Sequence, residues 1–138
     1  MAETMSAELI RLFYGLWEGS SEGREHVLST ELPETMEKLP RAEAADVRRS
    51  LRDLNRIGHL IAKGPLDSGF VTSLVGKDVI QVMEKLRPLV EEERTRLEEP
   101  DLYQYVDSLL DASRKAYPDY KPKYKTPERR RLGLATPG

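Results

Sequence analysis

The chain has 138 residues, enough for one domain with a real core and too few for two ordinary ones. Charged residues make up 33% and hydrophobic residues 38%, a soluble, charge-rich composition common in helical proteins and not extreme enough to imply global disorder. The absence of cysteine excludes disulfides, thiolate metal sites and a cysteine nucleophile, and fits a cytoplasmic protein.

No run of about eighteen apolar residues and no basic-then-apolar leader is visible, so neither a transmembrane helix nor a secretory signal is expected. The net charge of −2 is unevenly placed. Residues 118–138 carry six basic residues against Asp119 and Glu128, a net of +4, which leaves −6 in residues 1–117. An acidic body with a basic tail follows.

In chain order, Leu9, Leu12, Phe13, Leu16 and Trp17 form one apolar helical face, with Ser6 or Thr4 as N-cap. Gly15 weakens that helix slightly, and Gly19 to Gly23 mark a turn. Ser21 opens a shorter helix through Val27 and Leu28, broken between Thr30 and Pro33. Pro33 suits the first turn of a further short helical piece ending near Leu39.

A long helix is expected over Ala42 to Lys63, with Val47, Leu51, Leu54, Gly58 and Ile61 on its apolar face. Gly58 on that face predicts close approach of another helix, since glycine there costs about 1 kcal/mol relative to alanine. Lys63-Gly64-Pro65 is a stop signal. Asp67 caps a short helix carrying Phe70, Val71 and Leu74, ended by Gly76.

The segment Lys77 to Leu97 then reads as the helix that organises the chain. Val79, Met83, Leu86, Val90 and Leu97 make a single stripe, and a rod of roughly 30 Å results at 1.5 Å per residue. Pro88 predicts a kink between Met83 and Pro88. Pro100 and Asp101 suit the first turn of a last helix, to which Leu102, Val106, Leu109 and Leu110 contribute the apolar face. The expected architecture is therefore all-α, a compact helical bundle of about five to six helices over residues 1–117. Residues 118–138 read as a basic, proline-containing, disordered C-terminal tail.

The stretch Leu54 to Arg94, LNRIGHLIAKGPLDSGFVTSLVGKDVIQVMEKLRPLVEEER, resembles a bacterial family of small helical domains of unknown function. The turn Gly64 to Asp67 and the segment Leu86 to Arg94 carry the likeness, and Pro100 to Leu110 follows more loosely. Two departures stand out. Members often place a membrane-spanning helix before the domain, where none is expected in this sequence, and an aromatic residue expected in the long helix is Met83 here. The resemblance implies a helical fold and carries no catalytic residue with it.

Five groups of side chains are candidates for chemistry. Glu22 and His26 are spaced i, i+4 on a helix, but two ligands fall short of a zinc site, and a solvated surface is the simpler reading. His59 borders the apolar stripe of its helix, where a local hydrogen bond explains it as well as catalysis does. The run Glu91, Glu92, Glu93, Glu98 and Glu99, interleaved with Arg94 and Arg96, reads as an exposed, salt-bridged helix face. No phosphate loop, dinucleotide fingerprint, nucleophile elbow or HExxH motif occurs.

Arg48, Arg52 and Arg56 form a ridge at i, i+4, i+8 suited to phosphates or to acidic groups, either on a partner or within the chain. Lys121, Lys123, Lys125, Arg129, Arg130 and Arg131 make the tail a second candidate surface for a partner or a nucleic-acid backbone. No cofactor is expected. The sequence thus favours a non-catalytic interaction module with a protein partner, which could be a second copy burying Trp17 and Tyr103. The alternative is a nucleic-acid-associated protein using the tail and the arginine ridge.

Overall fold

A computed structural model describes residues 5–122. Five α-helices and one short 3₁₀ turn build the described chain, and no strand occurs among these residues. The helices are α1 (Ala7–Gly19), α2 (Ser21–Ser29), α3 (Arg41–Ala62), α4 (Ser68–Leu97) and α5 (Gln104–Ala116). The 3₁₀ turn covers Met36–Lys38, a single turn where a short helix from Pro33 was expected.

Local chemistry explains most of the boundaries. The Ser6 hydroxyl accepts from the Leu9 amide at 3.1 Å, and the Asp67 carboxylate accepts from the Phe70 amide at 2.8 Å. Each satisfies one of the amides that a helix start leaves without an intrahelical acceptor. At the α1–α2 corner, the Arg24 guanidinium lies 3.6 Å from the centre of the Trp17 ring and donates to the Trp17 carbonyl at 2.9 Å. The Ser50 hydroxyl ties the corner to α3 by donating to the Ser20 carbonyl at 2.6 Å.

The turn expected over Gly19 to Gly23 is confined to Ser20, with Gly23 buried inside α2, and two later boundaries also differ from the sequence reading. Gly76 does not end a helix; α4 runs unbroken for 30 residues from Ser68, about 45 Å at 1.5 Å per residue. Val71, Val75, Val79 and Ile80 continue one buried face through the glycine, and the Tyr117 ring lies against its open side. The cost of one interior glycine is small beside that burial. Pro88 lies inside α4 on its exposed side, where the carbonyl of Glu84 that it leaves unpaired can be hydrated.

The second difference lies at the other end. Helix α5 begins at Gln104 and not at Pro100, because Tyr103 takes a left-handed backbone (φ 56°) that closes the turn before it. Leu102, expected on the apolar face of that helix, therefore lies in the turn.

The core is continuous. Phe13, Val27, Met36, Leu51, Leu54, Ile57, Val79, Leu86 and Leu109 are all fully buried. Helix α5 packs on both α3 and α4, while α1 and α2 cover α3 and α2 also reaches α4. Helix α3 thus has more neighbours than the long helix expected to organise the chain. Gly58 permits the α3–α5 approach: a β-carbon there would collide with the backbone carbonyl of Tyr105. Gly23 does the same for α2 against the Asp46 carbonyl of α3.

Beyond α5, Tyr117 and Tyr120 pack against the core, with the Lys77 ammonium 5.2 Å and 5.6 Å from their ring centres. Contact with the body therefore extends to Tyr120. Trp17 and Tyr103 are half-buried, so neither presents the exposed ring that a dimer was expected to cover.

Candidate functional site

Along α3, residues Arg52, Asn55, Arg56, His59 and Leu60 recur at three- and four-residue steps and share one face. Opposite them the turn before α5 contributes Asp101, Leu102 and Tyr103, and α5 contributes Tyr105. Between these two walls lies an open cleft of about 810 Å³.

The arginine ridge divides. Arg48 turns inward: its Nη2 lies 3.0 Å from Oε2 of Glu93, which also accepts from Arg96 Nη2 at 2.9 Å. Glu93 is 3% exposed. The expected fully exposed acidic face on α4 is therefore corrected at this residue, because two guanidiniums compensate a carboxylate that burial would otherwise disfavour. Arg96 reaches Glu92 at 3.3 Å and Glu37 at 3.6 Å as well, closing a network between α3, α4 and the 3₁₀ turn.

Arg52 and Arg56 are different. Both are exposed, both line the cleft, and neither makes a hydrogen bond or an ion pair with any described residue. Their neighbour Arg49 pairs with Asp53 at 3.9 Å. Burial raises the Asp53 carboxyl above the ordinary value, and Arg49 and then Arg52 oppose that shift.

The far wall is held by Arg94. Its Nε donates to the Leu102 carbonyl at 2.8 Å, its Nη2 to the Tyr103 carbonyl at 3.3 Å and to Asp107 at 3.1 Å, and its Nη1 to Glu91 at 3.1 Å. These bonds fix the turn that carries Leu102 and Tyr103. Burial first, and the Glu93 carboxylate second, push the Tyr103 phenol above the usual tyrosine range against Arg52 and Arg48. Tyr103 therefore stays a neutral hydroxyl at physiological pH.

Asn55 bridges the walls, its Oδ1 accepting from the Tyr105 amide at 2.9 Å. His59 meets the Tyr105 ring edge-on at 4.7 Å between centres. Two guanidiniums, one amide and a phenol beside apolar surface can hold an anion with its neighbouring groups.

The remaining sequence candidates lie elsewhere. His26 sits on α2, within 3.5 Å of the Thr30 hydroxyl, and Glu22 adds no further ligand. Among the described residues no group of three or more His, Asp or Glu side chains is placed to hold a metal ion. Lys121 is exposed at the end of the described chain. Lys123, Lys125, Arg129, Arg130 and Arg131 lie outside the described residues.

Sequence reasoning marked Arg52, Arg56 and His59 but missed Asn55 and the opposite wall. Gly58 was the available signal, since the partner it admits, Tyr105, is one of the residues that line the cleft.

The chain belongs to DUF4760, a family described as a domain of unknown function, whose model matches residues 5–113. That span includes all five helices except the last turn of α5, and every residue of the cleft. No curated protein and no solved structure matches the chain. No helix among the described residues is long and apolar enough to cross a membrane.

Proposed function

We propose that this protein is a non-catalytic helical interaction module, working in the cytoplasm, that receives an acidic segment of a protein partner in the cleft between α3 and α5. One observation carries the reading: Arg52 and Arg56, one turn apart, form no ion pair with a described residue, while Arg48, Arg49, Arg94 and Arg96 around them all do. An acidic body, −6 over residues 1–117, supplies carboxylates in excess, yet none among the described residues forms an ion pair with these two guanidiniums beside apolar surface. Charge complementarity then favours an acidic ligand.

A peptide-display selection on the full chain tests this, with Arg52→Ala/Arg56→Ala as the parallel target. Enriched acidic peptides that lose binding to the double variant are the expected result. Peptides enriched equally on both targets would remove the cleft from the account. The tail's net +4 supports a second reading, contact with a nucleic-acid backbone. It requires oligonucleotide binding that falls steeply with salt and is lost when residues 121–131 are deleted.

A further inference from the structure

We infer that the cleft is matched to a short extended segment with two carboxylates on alternate residues and an apolar side chain at the next alternate position; this rests on the cleft being the partner site. The register follows from helix geometry. Arg52 and Arg56 are four residues apart on α3, an advance of about 6 Å at 1.5 Å per residue. On an extended chain, side chains on one face recur every two residues, about 6.6 Å apart. Acids at alternate positions therefore meet the two guanidiniums together, whereas adjacent acids point to opposite faces.

Leu60 lies a further four residues along the same face and lines the cleft with Tyr105. The next alternate side chain of the segment falls there, on apolar surface. Asp101 stands on the opposite wall, so a third carboxylate on that side is repelled and the segment follows α3.

A helical ligand with acids at i and i+4 would match the same 6 Å spacing. Asn55 separates the two cases. Its Oδ1 is engaged by the Tyr105 amide, which fixes the amide group, and its NH₂ makes no hydrogen bond with a described residue. That donor is open to a ligand's unpaired carbonyl. An extended backbone offers carbonyls, while those inside a helix are already bonded.

The test uses the full chain and fluorescence anisotropy with a labelled Gly-Leu-Ser-Asp-Ser-Asp-Ser-Leu-Gly peptide, which presents the pattern in either chain direction. The comparison probes are Gly-Leu-Ser-Ser-Asp-Asp-Ser-Leu-Gly, a stapled helical peptide with aspartates at i and i+4, a thymidine oligonucleotide, and inorganic phosphate as competitor. Binding of the alternating peptide at least roughly tenfold tighter than the adjacent and stapled ones is expected, as is a loss of roughly tenfold or more in Arg52→Ala/Arg56→Ala.

Equal binding of the two spacings, tighter binding of the stapled peptide, tighter binding of the oligonucleotide, or no binding of the alternating peptide would each overturn the inference. Displayed peptides that require Arg52 and Arg56 but lack alternating acids would overturn it alone. Displayed peptides indifferent to both arginines would take the cleft reading with it.

Discussion

Tyr103 joins the cleft to the buried charge network behind it. Its left-handed backbone ends the turn, Arg94 holds its carbonyl, and the Glu93 carboxylate lies in its electrostatic surroundings. Because its folded pKa is raised, the neutral phenol favours the fold below the unfolded value of about 10, and that contribution is lost as pH rises through the folded pKa. Urea titrations from neutral to alkaline pH should show the wild-type chain losing more stability above about pH 10 than Tyr103→Phe does. Parallel curves for the two proteins would contradict the assignment. Arg48, Arg52 and Arg56 had one spacing in the sequence, and only the fold separates them. Arg48 finds Glu93 across 45 positions of chain, a pairing no local pattern encodes.

At the scale of elements, two glycines in helices should respond in opposite directions. Gly58→Ala places a methyl group against the Tyr105 backbone, which cannot rotate away as a side chain could. Chemical denaturation should show a loss of about 1–3 kcal/mol. Gly15→Ala meets nothing within 4 Å and should gain about 0.5–1 kcal/mol through helix propensity. The cap at the start of α4 gives a third case. Asp67→Ala removes the acceptor of the Phe70 amide and should cost about 1 kcal/mol in the same measurement.

These element-level features were the most legible in the sequence. Asp67 was read as a cap, and Ser6 as one of two candidates with Thr4, from residue type and position alone, and the sequence signals located α1 to within two residues and α2 and α3 to within about one. What was not legible depends on tertiary contact. Gly76 reads locally as a stop, but the buried faces on both sides of it keep α4 whole. Pro100 and Asp101 read as a helix start, but the Arg94 bonds to Leu102 and Tyr103 stabilise a turn there.

For the whole molecule, α5 sits between α3 and α4, and the α3–α5 seam that Gly58 closes tightly opens beside it into the cleft. Arg52 and Arg56 were readable as one ridge of α3; that Asn55, His59 and Leu60 share its wall was not. The opposite wall comes from a turn more than 40 residues later in the chain, which neither periodicity nor motif could bring opposite it. The claim that the cleft receives a partner is tested most directly by an amide NMR footprint of the tightest displayed peptide on the isotopically labelled full chain. Shifts concentrated in Arg52 to Leu60 and Asp101 to Tyr105 are expected, with the remainder of the spectrum unmoved. Shifts confined to other faces of the bundle, with the amides of those two segments unchanged, would contradict the account.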